Sequence, residues 1–211
     1  MTAIEIGLAL PALMLALMLR PWRMFAGPGV TLLSPAAAVL ALLPWLWLLP
    51  HQLPQGLQLQ FSGASLLVLM LGWPLAVLVL ALVALAVWAI GPSDAVAVLS
   101  QWVWIGLVPA TLALLLGAAM RRWLPPHLFI YTLGRGFLGT ALVVFGSGVL
   151  YENLHDLLGG VTLHDALVAR WLMAWGDAFL TGIITAVFVA FAPQWLATWS
   201  DARYLVKPPA K

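Results

Sequence analysis

Long apolar runs separated by short polar breaks dominate this chain. Ile4 to Leu19 is apolar and stops at Arg20-Pro21-Trp22-Arg23. Val30 to Leu49 follows and ends in Trp45, Trp47 and Pro50, before a polar stretch from His51 to Gln60. Phe61 to Ile90 is too long for one membrane span and short for two. Gly72-Trp73-Pro74 breaks it, because Pro74 lacks an N–H and disfavours helix at Trp73. The pattern therefore predicts a short helix over 61–72 and a full one over 74–90, with one long kinked helix as the alternative. Further runs predict helices over 101–119, 128–150 and 171–192, the last two separated by a polar loop from Tyr151 to Asp165. A spanning helix needs about 20 mostly apolar residues. The expected fold is all-α: a single transmembrane domain over residues 1–211 with seven helices, one of them short.

Composition agrees with a lipid-embedded chain. Hydrophobic residues make up 64% of it and charged residues 8%, where a soluble domain carries about 25% charged residues. The absence of cysteine excludes disulfides and thiolate chemistry. Most of the twelve tryptophans stand at the ends of apolar runs, where headgroups are met. The first residues lack the basic region of a cleaved signal peptide, so the first segment is expected to be retained.

Charge assigns the sides. With seven spans, Arg20, Arg23, Arg121, Arg122, Arg203, Lys207 and Lys211 share one side, seven of the nine basic residues. Glu5, Asp94, Glu152, Asp156 and Asp165 share the other, with Arg170 at its edge. The positive-inside rule makes the first side cytoplasmic, so the N-terminus is expected outside and the C-terminus inside. Merging 61–90 into one span would put Arg20 and Arg23 opposite Arg121 and Arg122, which supports the split independently of Pro74. The expected location is the bacterial inner membrane, with the lipid bilayer as first partner. Scattered basic residues give no nucleic-acid patch.

Two ionisable residues fall within predicted spans, Arg135 and Asp177. A charge at a helix centre costs about 2.5–3.5 kcal/mol on insertion scales, so each is a functional candidate. Their expected depths differ by roughly 14 Å at 1.5 Å per residue, too far for a direct ion pair. Arg135 is expected to snorkel to the nearer interface. Asp177 is expected either to support a binding site or to accept hydrogen bonds from Trp or Thr neighbours. Small residues recur at Ala178, Gly182, Ala186 and Ala190, and at Thr132, Gly139 and Gly146. Such stripes let helices approach closely, within the bundle or against a partner.

Three stretches carry a resemblance. Gln60-Phe61-Ser62-Gly63-Ala64-Ser65-Leu66-Leu67, running on to Gly72-Trp73-Pro74-Leu75-Ala76, resembles the histidine-leucine-threonine-glycine segment of the CbiM/NikM family. These are the substrate-capture membrane components of cobalt and nickel energy-coupling-factor transporters. Gly176-Asp177-Ala178-Phe179-Leu180-Thr181-Gly182 resembles that family's late glutamate-glycine-threonine helix. Leu124 to Gly136, with Phe191 to Leu196 and Arg203-Tyr204-Leu205, resembles an uncharacterised proteobacterial branch of the same superfamily. The resemblance implies a transport component that works with a coupling membrane protein and ATPase subunits, since this chain has no Walker-type motif of its own.

It also implies a site near Gln60, Ser62, Gly63, Asp177 and Thr181. The family's metal ligands are not carried over: Thr2 and Gln60 stand where it has histidine, and late first-row metals favour imidazole. A divalent metal cargo such as cobalt or nickel would need other ligands, and His51, His155, His164 and Asp177 are the candidates. No resident cofactor is expected. A membrane assembly protein reusing the same scaffold is the alternative. A catalytic role is not expected, because Asp177 lacks a second titratable group within its span.

Overall fold

The structure, a computed structural model, describes residues 2–25, 32–49, 51–52, 58–155 and 162–205. Its main elements are α1 (Thr2–Met18), α2 (Leu33–Leu48), α3 (Ala64–Leu71), α4 (Trp73–Ile90), α5 (Ala95–Trp123), α6 (Ile130–Leu154), α7 (Leu163–Phe191) and the short α8 (Asp201–Tyr204). Between α2 and α3 a minimal antiparallel ladder pairs β1 (His51–Gln52) with β2 (Gln58–Leu59). Four helices, α4 to α7, are long and apolar enough to cross a membrane; α1 and α2 are shorter and apolar. Large apolar side chains cover the outside, among them Phe191 at 84% exposure and Trp123 at 77%. Such a surface is stable against lipid rather than water.

The break between α3 and α4 lies at Gly72, with φ +75° and ψ 161°, a conformation open to glycine almost alone. Pro74 then sits in the first turn of α4, where its missing N–H is harmless. All eight residues of α3 are buried. This short helix touches α4, α5, α6 and α7.

Two helices begin earlier than the apolar pattern predicts. α5 starts at Ala95, because the Asp94 side chain caps it by accepting from Ala97 N at 2.8 Å. α7 starts at Leu163 instead of 171. Thr162 accepts from Asp165 N at 3.2 Å and donates to Asp165 Oδ2 at 2.7 Å, a capped start that hydropathy does not reveal. The expected polar loop from Tyr151 to Asp165 is correspondingly shorter: Glu152 lies on α6, and His164, Asp165 and Arg170 lie on α7. Asp156, Lys207 and Lys211 fall outside the described residues.

Candidate functional site

A short helix buried in a bundle has orphan backbone groups at both ends. For α3, both ends are satisfied by α7 and the chain after it. At the N-terminus, Ser62 N donates to Asp177 Oδ2 at 2.9 Å and Gly63 N donates to Asp177 Oδ1 at 3.1 Å. At the C-terminus, Ala197 N donates to Met70 O at 2.9 Å, and the Thr198 hydroxyl donates to Leu69 O at 2.8 Å. Asp177 is 2% exposed. Its carboxylate lies where the helix dipole favours negative charge, and two N–H groups replace the water it has lost.

The segment before α3 is fixed at further points. Gln60 Nε2 donates to Trp47 O at 2.9 Å, and Gln101 Nε2 donates to the same carbonyl at 3.1 Å, closing the end of α2. Ser62 Oγ donates to Ile105 O at 2.6 Å and accepts from Ala64 N at 3.2 Å. The local sequence of α5 explains why Ile105 O is available. Pro109 stands four residues on and has no N–H to give it. The helix widens into a π turn over Trp102–Leu107, with Val108 N bonded to Val103 O. That leaves Trp104 O without its usual donor, and Ser147 Oγ of α6 reaches it at 2.7 Å. One proline thus frees two carbonyls, and two serines from other parts of the chain take them.

A narrow cleft opens between this π turn, the 60–62 segment, α6 and α7. Its polar lining comes from Gln60, Ser62, Ser147, Tyr151 and Arg170. Its room suits water-sized groups rather than a large organic solute. Arg170 Nε donates to Glu152 Oε1 at 2.8 Å, and the guanidinium lies 4.8 Å from the centroid of the Tyr151 ring. Its aliphatic stem crosses Gly148 so closely that an added Cβ there would meet Arg170 Cδ at 2.8 Å. His155 stacks on Tyr151 with centroids 4.1 Å apart and stands 3.8 Å from the buried Glu5 of α1. Trp104 meets both rings edge-on, and its indole N–H is buried without a partner.

No family model, curated protein or solved structure matches the chain.

Of the residues singled out in the sequence, Ser62, Gly63 and Asp177 come together in direct contact. Asp177 takes its hydrogen bonds from backbone N–H groups of the 62–63 segment, not from Trp or Thr side chains. Gln60 turns to Trp47 and lines the cleft. Thr181 and Thr185 continue the Asp177 face of α7, both fully buried, with neither hydroxyl partnered. The metal candidates do not converge: among the described residues there is no group of three or more His, Asp or Glu side chains able to hold an ion. His155 belongs to the Tyr151–Glu5 cluster and His164 is exposed. His51 is described in its backbone alone, paired with Leu59.

The small-residue stripes divide. Ala178 is fully buried, Gly182 meets Phe137, and Gly139 meets the Gly134 carbonyl and Leu116. Gly146 is half-buried, with Leu112 3.9 Å from where a Cβ would stand, and Ala186 and Ala190 are exposed among the described residues. Arg135 is corrected as well. It does not snorkel outward but is buried at 8% exposure, with its guanidinium against Gly117. The sequence reading missed Trp104, Ser147, Gly148, Tyr151 and the cleft role of Arg170. The charge pattern sets Arg170 at the edge of a loop, and the sequence sign of the rest is Pro109 within an apolar run.

Proposed function

We propose that this chain is the substrate-capture membrane component of an energy-coupling-factor-type transporter in a bacterial inner membrane. It has seven spans, an external N-terminus and a cytoplasmic C-terminus. Cargo enters the cleft over the 60–62 segment, and ATP hydrolysis belongs to partner subunits. The observation that carries this reading is the cleft itself. Polar groups from three separate parts of the chain converge beside a clasped buried carboxylate, inside a largely apolar bundle. The resemblance of the 60–76 and 176–182 stretches to CbiM/NikM proteins falls on the two segments that Asp177 joins. The chain works by binding, not by catalysis.

The lining suggests the cargo. It is lined by amide, hydroxyl and guanidinium groups that also bond within the fold, and both Asp177 oxygens are engaged. This lining does not suit a bare cobalt or nickel ion, which favours imidazole ligands, and a small neutral or anionic solute enters only when the narrow cleft widens. The test is thermal unfolding of the purified full chain with cobalt, nickel, zinc, small carboxylates and small neutral polar solutes. Stabilisation by a small solute, lost in Arg170→Gln, supports capture in the cleft. Stabilisation by a metal ion that survives Arg170→Gln would place the cargo elsewhere.

A second reading is a membrane assembly protein on the same scaffold. The full use of Asp177 within the fold and the exposed Ala186 and Ala190 favour it. Co-purification of one defined membrane protein, with no small molecule bound, would select it.

A further inference from the structure

Away from the cleft, Arg135 of α6 is a buried cation with no counter-ion among the described residues. The ion pairs among the described residues are His155–Glu5 and Arg170–Glu152, and neither involves it. Its Nη1 is buried and without a hydrogen-bond partner. The guanidinium lies 5.4 Å from the centroid of the Tyr131 ring. A ring face attracts the charge but accepts none of the five in-plane N–H groups. The fold nevertheless makes room for this side chain. At Gly117 of α5 an added Cβ would stand 2.5 Å from Nη2 and 2.9 Å from Cζ, so only glycine lets the guanidinium lie against the helix.

Beside it, a small cavity open on one side is lined by Leu69, Ala113, Leu116, Gly117 and Gly139 along with Arg135. Ala113 and Leu116 are partly exposed at its mouth. The cavity lies towards the end of α5 that carries exposed Arg121, Arg122 and Trp123. Gly117 is roughly 9 Å along the helix axis from Trp123 at 1.5 Å per residue. Arg121, one turn beyond Gly117, adds a second positive charge within electrostatic reach.

We infer that Arg135 is the anchor of an anion site for a phosphate group held at the open mouth of this cavity, whose interior has room for about one water, with Arg121 adding positive charge beyond it. A guanidinium binds phosphate through N–H···O bonds, and here Nη1 has no partner while the Tyr204 hydroxyl lies beside the guanidinium. Apolar walls and a mouth between two helices favour the phosphodiester of an anionic lipid as the source, with free phosphate as the other. Basic pockets between membrane helices bind lipid headgroups in this way. The site is independent of the cleft and stands or falls without it.

The test uses the full chain in detergent, with thermal unfolding followed in the presence of three separate probes. These are short-chain phosphatidylglycerol, short-chain phosphatidylcholine and inorganic phosphate. A saturable rise in Tm with phosphatidylglycerol, and none with inorganic phosphate, is expected and identifies a lipid. A rise with inorganic phosphate as well identifies the free anion. No rise with either, or equal rises with both lipids and none with phosphate, overturns the site. Arg135→Gln is expected to weaken the effective ligand at least about tenfold while Gly7→Ala, where an added Cβ meets nothing within 4 Å, leaves it unchanged; unchanged binding by Arg135→Gln overturns the assignment. If Arg135→Gln does not yield a helical, monodisperse protein, Arg135→Lys replaces it. That variant keeps the charge but loses the paired geometry, and binding as tight as wild type would count against the site.

Discussion

Gly63 donates its backbone N–H to Asp177 Oδ1 at 3.1 Å, across 114 residues of sequence, and Ser62 N meets the other oxygen. The carboxylate therefore acts as the missing first turn of α3. Truncation to alanine would leave two buried N–H groups without acceptors, at a cost of about 1–3 kcal/mol each. Asp177→Asn keeps one acceptor oxygen and presents an amide to the other N–H. The expected order of thermal stability in detergent is wild type, then Asp177→Asn, then Asp177→Ala. Equal melting of all three would mean that the clasp contributes nothing.

The same junction needs glycine at position 63. Its φ is +69°, and an added Cβ would stand 3.1 Å from Phe61 Cε1 and 3.2 Å from Leu43 Cδ1. A left-handed residue other than glycine costs roughly 1–2 kcal/mol before any contact is counted. Gly63→Ala is expected to lower stability by at least that amount. Gly7→Ala, where an added Cβ meets nothing within 4 Å, serves as the control and should be neutral or slightly stabilising. Parallel melting curves of the two variants check this.

These two residues also show how far the sequence could be read. Asp177 announced itself as a carboxylate in an apolar run, and the break at Gly72 followed from local backbone rules. Its partners were legible only in part. The 60–63 segment was expected near it, but backbone donors leave no mark in a sequence. Helix starts at Asp94 and Thr162 were overlooked because capping residues are polar and hydropathy treats them as loop. The position of Arg170 was lost with them. The contacts of Gly117 with Arg135 and Gly148 with Arg170 join residues far apart in the chain. A glycine that makes room for an arginine looks like any other glycine in an apolar helix.

Pro109 and Ser62 should be energetically coupled. Ser62 Oγ serves Ile105 O because Pro109 has no N–H to offer. Ser62→Ala alone orphans that carbonyl, at a cost of about 1–3 kcal/mol. Pro109→Ala supplies a backbone donor in the position an ordinary α-helix would use. In the Pro109→Ala background, Ser62→Ala is expected to be milder, with a coupling of about 0.5–3 kcal/mol in a double-mutant cycle on unfolding. Strict additivity would mean that the proline is not the reason the serine is needed.

Gly148→Ala tests the cleft without touching its polar groups. The new methyl would collide with the stem of Arg170 at Cδ, Cγ and Cβ, at 2.8 to 3.0 Å, and push it away from Glu152 and Tyr151. The stem can turn aside at Cγ and Cδ, while Cβ at 3.0 Å must give by a few tenths of an ångström, so the protein is expected to fold with reduced stability. Any solute that stabilises the wild type should bind Gly148→Ala several-fold more weakly, as should Glu152→Gln, where Arg170 loses its charged partner. Binding unchanged in both variants would remove Arg170 from the site.

Ala186 separates a packing role from a docking role. It is exposed, and no other helix of the described chain covers it. Substitution of an exposed residue away from special features usually changes stability within about 0.5 kcal/mol. Ala186→Leu is therefore expected to melt like wild type in isolation. Small residues on a helix face allow close approach of a second helix in lipid, and a leucine side chain would hold it off. If that face docks a coupling protein, Ala186→Leu should abolish co-purification of the partner while solute binding in the cleft persists. Co-purification at wild-type levels would free this face of any such role and leave the exposed alanines as ordinary lipid contacts.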